Sequence, residues 1–227
     1  MSPGQLRSAR QSAGLTQQRA ADRLGVSQPY LALIELGRRP IPSQLGSRII
    51  KLYRLGPASL PLDVNHERSW DSSSLARALA SLKYPGFPRL TGARLRNPAN
   101  VLLAAIAASD IEVRVLEALP WIAIEYDDLD WEWLIREAKV QDLQNRLGFV
   151  VTLARQVAVK CGNDAAAKRL HDVKEILCRA RLRREDTLCQ ASLTEAERRW
   201  LRKARPPEAR YWNLLTDLKA HLLPYAA

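Results

Sequence analysis

Apolar residues recur at intervals of three and four over most of the chain, the spacing that lines one face of an α-helix. Leu6, Ala9 and Ala13 share such a face and predict a helix over 5–13, ended by Gly14. Ala20, Ala21 and Leu24 form the stripe of a second helix over 17–24. Thr16 before it carries a hydroxyl suited to capping, and Gly25 after it supplies the left-handed residue that stops a helix cheaply. Ser27 caps a third helix over 28–36, closed by Gly37. Pro29 is tolerated there because first-turn N–H groups have no helical partner. Leu31 and Ile34 face the core. Pro40 and Pro42 break the chain, and Ser43 opens a fourth helix to about Tyr53, with Leu45, Ile49, Leu52 and Tyr53 facing in.

The run Gly56-Pro57-Ala58-Ser59-Leu60-Pro61 ends this first domain, and the polar stretch to Ser74 reads as a linker in which Trp70 docks. Leu75, Leu79 and Leu82 define a short helix, residues 84–88 a turn, and 89–97 a basic loop with Arg89, Arg94 and Arg96. Asn97 and Pro98 open a helix to about Ala108. Asp110 caps another that stops before Pro120, and Asp130 a long one over 131–160, bent at Gly148. A helix from Asn163 or Asp164 to about Arg184 follows. Overlapping capping boxes, Ser192 with Glu195 and Thr194 with Glu197, start a helix to Ala204. Pro206-Pro207 break it, and 208–223 form the last. Residues 121–126 are the only strand candidate. The reading is an all-α protein: a four-to-five-helix domain over 1–56, a linker over 57–74 and a larger helical domain over 75–227.

Composition agrees, since 36 Leu and 31 Ala far outnumber the 27 Val, Ile and Thr residues together. The longest apolar run, 101–108, is too short to span a membrane, and the N-terminus lacks a charged-then-apolar leader pattern. A cytoplasmic protein is expected. Cys161, Cys178 and Cys189 are widely spaced and form no Cys-x-x-Cys pair, so they read as free thiols rather than a zinc site or a disulfide framework. The net charge is +11. Residues 1–56 hold nine basic and two acidic side chains, and 161–227 hold fourteen and nine. A basic first domain fits an anionic partner, because Lys and Arg displace counterions from phosphates.

Two helices joined by Gly25-Val26-Ser27 at this spacing are a helix-turn-helix. Positions 6–28, Leu-Arg-Ser-Ala-Arg-Gln-Ser-Ala-Gly-Leu-Thr-Gln-Gln-Arg-Ala-Ala-Asp-Arg-Leu-Gly-Val-Ser-Gln, resemble the Cro/repressor (XRE-like) helix-turn-helix family. Ile34-Glu35 and Gly37-Arg38-Arg39-Pro40 do so too. The resemblance implies double-stranded DNA as partner and a recognition helix over 28–36 in the major groove. It places Gln28 on base edges, where Gln pairs with adenine, and Gln17 on phosphate. Ser27 and Tyr30 join the same surface. Arg38 and Arg39 would meet the flanking backbone, and Arg10 with Glu35 would form a structural pair. The middle of the recognition helix departs from the family's usual polar pattern. Ala32 and Leu33, and with them Leu36, are expected to face outward, where they can touch only thymine methyls.

The rest of the chain suggests no catalysis and no cofactor. Glu125, Asp127, Asp128, Asp130 and Glu132 crowd together without a calcium-loop pattern and read as an acidic helix start. Trp121, Trp131 and Trp133 read as packing. Gln141, Asp142, Gln144, Asn145 and Arg146 are either a buried network or a contact surface. Arg179, Arg181, Arg183 and Arg184, with Arg198, Arg199, Arg202, Lys203 and Arg205, are either a solvated face or a second anionic contact. His66, His171 and His221 lack catalytic partners, and no nucleophile triad, phosphate loop or dinucleotide fingerprint occurs. The second domain is faintly similar to helical extensions of bacterial regulators and antitoxins, through Asn97-Pro98-Ala99, Leu119-Pro120-Trp121 and 143–149.

Two functions are open. One is a sequence-specific regulator, a dimeric repressor that reads half-sites one helical turn apart, an antitoxin-like autorepressor being one form. Its second domain would hold the homodimer and a protein partner such as a toxin. The other is an accessory subunit whose helix-turn-helix domain binds protein instead of DNA.

Overall fold

The computed structural model describes residues 3–62, 70–90 and 94–226. These divide into two compact units, one of 3–62 with 95–97, the other of 70–90, 94 and 98–226. His66 and part of the expected 89–97 loop lie outside the described residues.

The first unit holds α1 (Pro3–Ser12), α2 (Gln17–Leu24), α3 (Gln28–Glu35) and α4 (Ser43–Tyr53). Its boundaries follow local chemistry. Thr16 Oγ1 accepts from the Arg19 N–H, Ser27 Oγ from the Tyr30 N–H, and Gly25 ends α2 at φ 65° with its N–H on the last turn's carbonyls. Leu6, Ala20, Ala21, Leu24, Leu31, Ile34, Leu45, Ile49 and Tyr53 make the shared core. The first part of the expected linker belongs to this unit. Residues 57–59 form a 3-10 turn, Leu60 is buried, and Asn97 Nδ2 donates to the carbonyls of Ala58 (2.9 Å) and Leu60 (2.7 Å). Gly46 gives the room: a Cβ there would stand 3.3 Å from both Leu60 and Pro61.

The second unit opens with α5 (Ser72–Ser81), under an Asp71/Ser74 capping box, and α6 (Pro98–Ala107). Then come α7 (Val113–Glu125), α8 (Trp131–Val140), α9 (Gln144–Lys160) and α10 (Asp164–Cys178). Last are α11 (Glu195–Ala204) and the short α12 (Pro207–Tyr211). α9 is buried over most of its circumference and packs against α10 and α7. Two two-residue strands, β1 (Asp186–Thr187) and β2 (Leu214–Leu215), pair in parallel. Among the described residues the all-α reading holds, apart from this pair and an isolated bridge between Asp110 and Gln190.

The structure departs from several local expectations, and α10 ends at Cys178 rather than near Arg184. Residues 121–126 are not a strand, because α7 continues through Pro120 to Glu125. Pro120 has no N–H for the helical ladder, and its ring crowds the rung beside it. The Tyr225 hydroxyl donates to the Glu117 carbonyl, one turn before Pro120, at 2.7 Å. Asp110 does not cap α7. Its carboxylate accepts from the backbone N–H and hydroxyl of Ser192, and Glu112 holds the N-cap position. The expected helix over 131–160 is two, parted at 141–143 where Asp142 turns to φ 57°. Gly148 lies within α9 and serves packing: a Cβ there would meet the Trp212 ring at 2.4 Å. Residues 208–223 are not one helix either. Asn213 takes φ 55°, and the chain then extends so that Leu214 and Leu215 pair with Asp186 and Thr187.

Candidate nucleic-acid interface

The first turn of α3 follows α2 across Gly25-Val26-Ser27, so the side chain of Gln28 emerges beside Gln17 at the start of α2. The Gln28 amide donates to Gln17 Oε1. Gln17 Nε2 in turn donates to Glu35 Oε2 at 3.1 Å. Glu35 closes α3 and is only 7% exposed, so its charge needs a partner. Arg10 on α1 supplies it with a two-pronged contact, Nε to Oε1 at 2.7 Å and Nη2 to Oε2 at 3.1 Å. Its Nη1 also donates to the Leu15 carbonyl at 2.8 Å. The bond to Glu35 raises the pKa of Arg10 above its ordinary value despite burial. Burial, then the nearby Glu35 charge, push the Tyr53 hydroxyl up to about 12.

Four of the sequence-selected residues therefore form one chain: Arg10, Glu35, Gln17 and Gln28. Gln17, expected to face a phosphate, also links the buried pair to the recognition helix. Each glutamine amide offers two N–H groups and two acceptor sites. The contact to Gln17 uses one Gln28 N–H, leaving the carbonyl oxygen and the other N–H as the acceptor and donor that adenine's N6 and N7 require. Ser27 is exposed and spends its hydroxyl on the cap. Tyr30 is half-buried and packs on the core. Ala32 and Leu33, expected outside, are half-buried, so α3 presents less apolar surface than its sequence implied. Leu36 remains 63% exposed.

Arg38 and Arg39 are exposed just past α3, after Gly37 turns at φ 74°. The Arg38 N–H returns to the Leu33 carbonyl at 2.9 Å, which fixes the backbone from which both side chains project. Arg48 on α4 was not singled out from the sequence. Its guanidinium lies 3.0 Å from where a Gly25 Cβ would stand, over the turn between α2 and α3. Only its place on the exposed side of α4, three residues before Lys51, could have marked it.

In the second unit the 141–146 polar stretch contributes to a buried network. Asn145 exchanges two bonds with the Leu182 backbone, both 2.9 Å. Arg146 grips Asp186 at 2.7 and 3.0 Å and also donates to the Ile106 and Ala108 carbonyls. Burial raises the Asp186 carboxyl, but the Arg146 bonds outweigh it and hold the group below its ordinary value. Burial pushes the Cys189 thiol beside it up to about 11. Of the arginine-rich stretch, Arg202 pairs with Glu185 (2.9 Å) and Glu195 (3.1 Å), while Arg198 donates to the Leu193 and Ala191 carbonyls. Among the described residues no cluster of three or more His, Cys, Asp or Glu side chains is placed to hold a metal ion, and no helix is long and apolar enough to cross a membrane.

Residues 4–62 match the family described as helix-turn-helix domain. No curated protein and no solved structure matches the chain.

Proposed function

We propose that this protein is a sequence-specific DNA-binding regulator of the Cro/repressor type, acting as a dimeric repressor in the cytoplasm. The observation that carries the reading is the relay from Arg10 through Glu35 and Gln17 to Gln28. It holds the half-buried Gln28 amide, the group proposed to read a base, in one orientation in the first turn of α3. Preorganisation of this kind lowers the ordering cost of binding. Arg38, Arg39 and Arg48 supply phosphate contacts, which position the domain without reading sequence. A single domain of this size makes few base contacts, so two copies would grip half-sites about 34 Å apart on one face of the duplex. The second unit would hold the dimer. In an antitoxin-like form it would also bind the protein partner that relieves repression. No enzymatic role is proposed, and no cofactor is required.

Selection of binding sites from random duplex DNA tests the reading. The expected pool converges on two related half-sites about one helical turn apart, and Gln28→Ala relaxes preference at one base pair of each. A pool that never enriches would reject it.

A second reading, a helix-turn-helix surface that binds protein, is favoured by Leu36, whose apolar side chain is largely exposed at the end of α3. Under it, Leu36→Asp abolishes a protein complex and leaves DNA binding untouched.

A further inference from the structure

The second unit contains a cavity of about 600 Å3 between α9, the α11–α12 corner and the C-terminal segment. That volume lies in the ordinary range for small-molecule sites, about 300–1,000 Å3. Its lining is unbalanced in charge. Lys160, Arg205 and Lys219 contribute three cations, against one carboxylate, Glu208. That carboxylate is already engaged, since its Oε1 accepts from Gln156 Nε2 at 2.6 Å. Arg205 is held in place by Nη1 on the Leu214 carbonyl, 3.2 Å, and on Glu185, 3.5 Å. Glu185 is shared with Arg202, so it does not fully cancel the charge of Arg205. Lys160 donates to the Ala226 carbonyl, which is still a neutral acceptor. Lys219 has no acidic partner among the described residues. Val157, Pro206, Ala220 and Ala226 give the same cavity apolar wall.

From this cavity we infer a binding site for a small organic anion, a carboxylate or phosphate monoester with a compact apolar body. Three cationic residues line one partly enclosed space, and their shared charge favours an anion that enters it. The apolar wall lets the body of such a ligand leave water, which a free inorganic ion could not exploit. The three walls come from segments distant in sequence. Gln156 to Glu208 and Lys160 to Ala226 are polar contacts between them, beside the apolar packing of Val157 on Leu223 and Ala226. An anion held by Lys160, Arg205 and Lys219 would bridge all three. The site stands independently of DNA reading.

The test is isothermal titration of the full chain with two matched pairs, adenosine monophosphate against adenosine and benzoate against benzyl alcohol. Binding of at least one anion, with its neutral counterpart silent, is expected. Phosphate binding alone, or carboxylate binding alone, assigns the head group. Lys219→Gln should weaken that anion about tenfold, the worth of one partly screened charge pair. Lys203→Gln, on the exposed part of α11 and outside the cavity lining, should leave it unchanged. Circular dichroism confirms that both variants fold. Neither anion binding, equal binding of charged and neutral members, or equal loss in the two lysine variants would each overturn the assignment.

Discussion

Glu35→Ala removes the acceptor that joins three helices. Its carboxylate takes two bonds from Arg10, at 2.7 and 3.1 Å, and one from Gln17 at 3.1 Å. Deleting one member of a buried ion pair costs about 3–5 kcal/mol, because the other charge stays buried without its partner. Arg10 is 8% exposed and keeps the Leu15 carbonyl at 2.8 Å, so the low end applies, about 3 kcal/mol. A domain this small draws only about 3–5 kcal/mol from its core, so the loss removes most of its stability. The expected fall in melting temperature exceeds about 12 °C, at roughly 4–8 °C per kcal/mol for a unit of this size. The assay can separate the units, because all six tryptophans, at 70, 121, 131, 133, 200 and 212, lie outside residues 3–62. Far-ultraviolet circular dichroism reports helices of both units, and tryptophan fluorescence reports the second. Thermal unfolding of Glu35→Ala should show an early loss of helix while the fluorescence transition stays in place. Glu35→Gln, which keeps an acceptor but no charge, should fall between. An unchanged dichroism transition, or a shift confined to fluorescence, would refute the buried-pair reasoning.

Other perturbations bear on the second unit and on the recognition surface. Gly148→Ala forces a Cβ to 2.4 Å from the fully buried Trp212 ring, and should cost about 1–3 kcal/mol or more in the fluorescence transition. Tyr225→Phe removes the hydroxyl that donates to the Glu117 carbonyl beside Pro120, a loss of about 1–3 kcal/mol seen by the same probe. Asp186 has a lowered pKa, so its pairing with Arg146 stabilises fully above the ordinary value of 3.8 and is lost as pH falls through the lower folded value. Unfolding midpoints from neutral pH to below 3.8 should therefore fall more steeply in the wild type than in Asp186→Asn. Arg38→Ala should weaken specific and random DNA alike and reduce the salt slope by about one unit.

The helix-turn-helix could be read from the chain because its punctuation is local. Thr16, Gly25, Ser27 and Gly37 each act within a few residues of themselves, and their side chains or φ values leave few alternatives. The Arg10–Glu35 pair was reached through resemblance, since 25 residues separate the partners and periodicity cannot join them. The mutual bond of Gln17 and Gln28 escaped the sequence for the same reason, although both residues were selected. In the second unit, what failed was what depends on distant partners. Pro120 reads as a stop until Tyr225, more than a hundred residues later, is seen on the Glu117 carbonyl one turn before it. The break at 141–143 interrupts a pattern that suits one long helix, and Asp142 carries little sign that it will turn left-handed. Leu214 and Leu215 look helical by type but find their partners in Asp186 and Thr187.

The proposed function rests on the first unit reading DNA sequence. Fluorescence anisotropy against the duplex obtained by selection, with a scrambled duplex of the same composition and salt varied around physiological strength, tests it most directly. A preference of about a thousandfold or more is expected at physiological salt. Gln28→Ala should erode it and Arg38→Ala should leave the ratio unchanged. Equal affinity for the two duplexes, falling steeply with salt, would contradict the claim and leave only a basic surface.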